Sequence, residues 1–193
     1  VSIDRVLEIA RESIETKRSF FDSRAEDVVL ASKLISDSIM NGGKLLIIGN
    51  GGSAADAQHI AAELVNRLSR DRPPIPAIAL TTDTSILTSI GNDSSYDEVF
   101  ERQIKALGRP GDVVLAISTS GNSPNILKAA SAARDLDMKI VALAGRDGGN
   151  LAARADVALV VPGESTQRIQ ETHITIGHII CELVEEALHG SAI

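Results

Sequence analysis

The chain reads as an open parallel α/β sheet with helices on both faces. Short, nearly all-apolar runs recur along it, and helical stretches punctuated by Gly, Asp and Pro separate them. Long amphipathic segments stand at both ends. With 193 residues and 44% hydrophobic content, one domain spanning 1–193 can bury a substantial core. It divides into N-terminal helices over 1–40, an α/β core over 44–163 and a C-terminal helix over 164–190.

Apolar residues at helical spacing, first Val6, Ile9 and Ile14 and then Val28, Leu30, Leu34, Ile35 and Ile39, predict two helices that break near Asp22 and Ser23. Asn41-Gly42-Gly43 stops the second of them. Lys44 to Gly49 is an apolar run of the kind found in a strand buried on both faces. Ala77 to Leu80, Asp112 to Ile117, Lys139 to Ala144 and Val157 to Val161 repeat that pattern, giving five strands. Asn125 to Leu136 predicts a helix between two of them, and a final helix is expected from Ser165 to His189.

The formal net charge of −7 and an aromatic content of 2% weigh against a nucleic-acid partner, which needs a basic groove and stacking platforms. No apolar run approaches the roughly 18 residues of a membrane span, and Val1 to Arg5 lead into alternating charge instead of a signal-peptide core. A soluble, cytoplasmic protein is expected. The single cysteine, Cys181, has apolar neighbours and reads as a small buried hydrophobe.

Two loops are built for anions. Gly49-Asn50-Gly51-Gly52-Ser53-Ala54 follows a strand and opens a helix, so backbone amides at the positive end of a helix dipole face outward. Gly49, Gly51 and Ala54 also fit a G-x-G-x-x-A dinucleotide pattern, with Asp83 as the ribose acid. That residue comes about thirty positions on, where about twenty is usual. The second loop, Ser118-Thr119-Ser120-Gly121-Asn122-Ser123-Pro124, offers four hydroxyls and an amide, and Ser123-Pro124 reads as an N-cap followed by proline at the first helical position. A phosphate is expected there, held by neutral hydroxyls and amides.

His59 and Glu63, four apart, share a helix face and suit either metal binding or proton transfer. Gln170, His173 and His178 form a second polar set within the isoleucine-rich last helix. A histidine in so apolar a stretch is a satisfied core residue or a functional one.

Taken together, Gly49 to Ala54, His59, Glu63, Arg67, Gly91-Asn92-Asp93, Ser118 to Ser123, Arg168-Ile169-Gln170-Glu171 and His178 resemble the phosphoheptose isomerases of the sugar isomerase (SIS) domain family, in order and over nearly the whole chain. The resemblance implies a five-stranded, Rossmann-like SIS domain. It implies interconversion of sedoheptulose 7-phosphate and D-glycero-D-manno-heptose 7-phosphate, a homotetramer, and zinc bound by residues matching His59, Glu63, Gln170 and His178. Substrate contacts carry over to Asn50, Gly51, Gly52, Ser53, Arg67, Asn92, Asp93, Ser118, Thr119, Ser120, Ser123 and Gln170. Glu63 and His178 are then the expected catalytic base and acid. On one straight helix Gln170 and His178 stand about 12 Å apart along the axis, so both reach one ion only if their side chains lean together or a neighbouring subunit completes the site. The alternative is a non-catalytic SIS protein that binds a replication-initiator partner or senses a sugar phosphate.

Overall fold

Five parallel strands form the spine of the molecule, seen in a computed structural model that describes residues 2–68 and 71–190. The ends of the expected 1–193 span, Val1 and 191–193, lie outside the described residues. In chain order the elements are α1 (Ile3–Met40), β1 (Leu45–Gly49), α2 (Gly52–Val65), β2 (Ala77–Ala79), α3 (Thr84–Asp93), a 3₁₀ turn (Tyr96–Glu98), α4 (Val99–Leu107), β3 (Val113–Ser118), α5 (Pro124–Asp135), β4 (Lys139–Gly145), α6 (Gly149–Ala152), β5 (Val157–Val161) and α7 (Thr166–His189). The strand order is β2-β1-β3-β4-β5, with every pairing parallel.

All residues of β1 and β3 are buried, as their apolar runs require. Alternation along the strand divides the core between the two faces. Leu45 and Ile47 pack with Phe20, Ile35, Ile60, Ile176 and Val184 under α1, α2 and α7. Leu46 and Ile48 pack with Phe100, Ile104, Ile126 and Leu151 under α4, α5 and α6. Each fully buried large apolar side chain contributes roughly 1.5–3 kcal/mol by burial. Asp112 pins the entry of the central strands, accepting hydrogen bonds from the Lys44 and Arg109 amides at 2.9 and 2.8 Å.

The expected break in the N-terminal segment is absent, and α1 runs unbroken for 38 residues. Asp22 and Ser23 do not stop it. The Ser23 hydroxyl donates back to the Ser19 carbonyl at 2.9 Å, a bond compatible with continued helix, and Phe20 and Val28 on either side are both in the core. Up to Glu12 the helix is exposed, tied to the body by Arg168, which donates to the Ile9 carbonyl at 2.9 Å.

Candidate active site

Chain order reverses between β1 and β3, and in such sheets ligands bind in the crevice beyond the strand ends at that switch point. Gly49 is paired with Ile117, so the first loop leaves β1 one residue below the start of the second. Gly51, at φ 54°, turns the chain into α2, whose first turn has no side-chain cap. The second loop turns at Gly121, φ 63°, where a Cβ would run into the Gly148 carbonyl. Ser123 occupies the N-cap position of α5 with Pro124 after it, but makes no capping bond; its hydroxyl lies 3.3 Å from that of buried Ser118. Both helix starts therefore keep donors for an anion, with positive dipole ends behind them. The Ser120 hydroxyl accepts from the Asn122 amide at 3.2 Å, and Thr119 is half-buried beside it.

A second cluster stands two turns along α2. His59 Nε2 lies 3.1 Å from Glu63 Oε1 and 3.0 Å from His178 Nε2, joining α2 to α7. A single ring nitrogen has at most one proton and cannot donate to both neighbours. The three ligand-capable atoms lie within 4.8 Å of one another. Two ligands about 2.0 Å from a tetrahedral ion stand roughly 3.3 Å apart, so this crowding of lone pairs suits a cation of the zinc class.

Parallel packing of α2 and α7 creates the cluster. A Cβ on Gly52 would lie 2.7 Å from Gln170 Nε2, and one on Gly177 would lie 2.7 Å from Ile60 Cδ1. Gln170 thus faces the first loop, while His178, eight residues later, faces His59. Asn92 and Asp93 end α3, exposed, with the Asn92 amide donating to Asp93 Oδ1 at 2.7 Å. Arg67 is exposed two residues beyond Val65, at the opposite end of α2 from the loop. Fourteen residues of helix put roughly 20 Å between those ends. Asp83 accepts from the Ile86 amide at 2.9 Å as the N-cap of α3, which accounts for it without a ribose.

Three site neighbours escape a reading of the sequence. Asn125 is buried and exchanges two amide hydrogen bonds of 2.9 Å with Asn50, tying the first loop to the helix after the second. Tyr96 donates to Asn50 Oδ1 at 3.3 Å. Asp56, one turn before His59, has a buried Oδ2 without a hydrogen-bond partner. Burial pushes its carboxyl above the ordinary aspartate range, and His59 and His178 partly oppose that rise. Asparagine pairs and lone aspartates carry no distinctive spacing, so only the fold reveals them. His173 proves to be a core residue: fully buried, with Nε2 3.0 Å from the Ala144 carbonyl, and held to a pKa of about 4 by burial. Cys181 is also buried, and burial pushes its thiol up to about 12.

Residues 10–145 match the SIS domain family. A phosphoheptose isomerase of Aquifex aeolicus is 52% identical over 184 residues, covering 95% of this chain and 96% of its own length. Among solved structures, a phosphoheptose isomerase from Neisseria gonorrhoeae superposes with a TM-score of 0.90 at 48% identity, over 95% of this chain and 98% of its own. One from Francisella tularensis gives 0.93 at 38% identity, over 96% and 99%. Sequence, sheet order and site agree, and the chain belongs to the phosphoheptose isomerases of the SIS domain family.

Proposed function

We propose that the chain interconverts sedoheptulose 7-phosphate and D-glycero-D-manno-heptose 7-phosphate, the first step towards nucleotide-activated heptose for cell-surface polysaccharide such as lipopolysaccharide. The observation that carries this reading is the convergence of His59, Glu63 and His178 within 4.8 Å, seven residues of helix beyond the first loop. Seven residues amount to roughly 10 Å, comparable to an extended seven-carbon sugar phosphate. The non-catalytic alternative gives no role to this convergence, and the relatives do not favour it.

Aldose–ketose exchange needs one carbon proton moved between neighbouring carbons and one hydroxyl proton moved between their oxygens. Glu63 takes the proton from C1 of the ketose as O2 gains one, giving the enediol. It returns the carbon proton to C2 as O1 loses its own, giving the aldehyde. His178 is the group at the oxygens. Each contributes about 10²- to 10⁴-fold. Ser118, Thr119, Ser120 and Ser123, with the amides of Gly51 and Gly52, hold the phosphate and keep the open chain in line, while the Ser53 amide closes the first loop on the Asn50 carbonyl at 3.0 Å. Asn50, Asn92, Asp93 and Gln170 serve the sugar hydroxyls.

His59, Glu63 and His178 would hold one zinc per subunit, with Gln170 as the fourth ligand if its side chain leans along α7. The ion supplies Lewis-acid polarisation of the substrate oxygens when bound. We also assign the chain to a cytoplasmic homotetramer in which Arg67 reaches the sugar of a neighbouring copy, since within one chain it lies at the wrong end of α2. Ile3, Val6, Leu7 and Ile14 on α1, exposed by 79, 59, 45 and 57%, supply an apolar surface for assembly. No helix among the described residues is long and apolar enough to cross a membrane.

The test is direct. Purified protein incubated with sedoheptulose 7-phosphate should yield the aldose phosphate, and a chelator comparison reports the metal requirement. Glu63→Gln and His178→Gln should each lose at least about a hundredfold in kcat with the far-UV spectrum unchanged. Near-normal turnover in either variant would remove that residue from the chemistry.

A further inference from the structure

The Arg72 side chain is 2% exposed and its partner, Glu185, 1%, with Nε 2.7 Å from Oε1. The remaining guanidinium nitrogens donate to backbone carbonyls: to Leu64 at 2.7 Å and Pro73 at 3.1 Å from one, to Glu63 at 2.9 Å from the other. Arg72 therefore closes the last turn of α2, where carbonyls lack helical partners and positive charge is favoured. It holds the backbone of Glu63 itself. Glu185, the other end of the pair, lies on α7 seven residues after His178, two turns along the same face.

Stability does not account for this arrangement. A buried ion pair is often no better than an apolar pair of equal volume, because desolvating both charges offsets their attraction. Geometry does. Short turns after Gly49 and Val161 tether the starts of α2 and α7 to one sheet, whereas Glu63 and His59 on α2 and His178 on α7 lie farther along the helices, beyond those tethers. A slip of one residue is about 1.5 Å, enough to part His178 from its 3.0 Å contact with His59. Between the helices, Gly177 against Ile60 is a close but non-directional apolar contact, whereas a guanidinium bound to three carbonyls and a carboxylate has one position.

We infer that the buried Arg72–Glu185 pair is a positioning device: it locks the axial register of α2 against α7 and so holds Glu63 and His178 in a single reacting geometry. This rests on the acid–base reading of those two residues. Arg72 and Glu185 touch no reacting atom and lie at the end of α2 away from the phosphate loops, so the grip on the phosphate, the main source of substrate affinity, should be indifferent to them.

The experiment uses the full chain and two variants. Arg72→Lys keeps the charge pair but loses the fork that spans the carbonyls; Arg72→Met/Glu185→Leu replaces the pair with an apolar one. Steady-state kinetics are read beside the ¹⁵N ring signals of the histidines, with buried His173 as the internal control. Both variants should fold, hold KM within about threefold and lose at least about tenfold in kcat, as expected when a geometry is used only in the transition state. The ring signals of His59 and His178 should move while that of His173 stays. A folded apolar variant with kcat within about twofold of the parent and unmoved rings would overturn the inference. So would failure of both variants to fold, or kcat falling only in step with the folded fraction, since either would make the pair a stability device. Absence of turnover in the parent would instead sink the isomerase reading, and the ring signals would still decide the register.

Discussion

Ser123 stands where a capping residue belongs and does not cap. Its hydroxyl lies 3.3 Å from that of Ser118 instead of on a helix amide. The serine and the proline after it are readable as a helix start, but the direction of the hydroxyl is set by the neighbouring strand end. His59 and Glu63 are readable together because four residues on a helix share a face. His178 joins them in the sequence only through the family resemblance, because 119 residues of chain separate it from His59 and no spacing links them. His173 illustrates the opposite outcome, a histidine of the same helix used for the core. Its pKa is lowered to about 4 by burial, against an ordinary value near 6.5, so the unfolded chain binds the proton first. Stability should therefore fall as pH drops from about 6.5 to 4, by up to about 3 kcal/mol from this group. Asp56, whose carboxyl is raised, acts in the opposite sense on acidification. His173→Gln should flatten the loss, so that urea midpoints at pH 7 and pH 4.5 lie closer together than in the parent. An unchanged spacing would show that other groups dominate.

At the scale of elements, the strands were legible to within a residue, because fully buried parallel strands are written as unbroken apolar runs. The helices of 125–136 and 165–189 were legible as well, whereas α3 and α4, between β2 and β3, were not singled out and α1 was split in two. The Asp22-Ser23 pair looked like a boundary, yet neither residue forbids helix, and core packing by Phe20 and Val28 carries α1 through. Glycine in the second loop has a stricter requirement. Gly121 combines φ 63° with a backbone carbonyl in the place a Cβ would take, so no side-chain adjustment can relieve a substitution. If the loop holds the phosphate, as proposed, Gly121→Ala should raise KM for the sugar phosphate at least about tenfold, with a smaller effect on kcat. A KM within twofold of the parent would place the phosphate elsewhere.

For the whole molecule, the reversal of chain order between β1 and β3 places the loops after both strands on one crevice, and α2 and α7, running parallel, bring His59, Glu63 and His178 to its flank. The first turns of α1, up to Glu12, are exposed and held to the body of the chain by Arg168. Apolar side chains left at 45–79% exposure along one helix are an unfavourable surface for an isolated monomer. Ile14→Glu combined with Leu7→Glu should lower the mass seen by analytical ultracentrifugation from that of a tetramer. Loss of turnover should accompany it if Arg67 serves a neighbouring site. A monomeric parent, or a variant pair that stays tetrameric, would count against this assembly.

The sequence by itself determined the sheet, the two Gly- and Ser-rich loops that each lead from a strand into a helix, and the His59–Glu63 pair, since each depends on residue types and spacings within a short window. Tertiary structure alone decided that Asn50 is clamped by Asn125, that the His178 and His59 rings meet at 3.0 Å, that Arg72 holds the end of α2 to Glu185, and that His173 is core while His178, five residues later, is not. The physical reason is common to all four. Each depends on which helix face lies against which partner, and that is set by long-range packing of α2, α5 and α7 on the sheet, which no local pattern encodes.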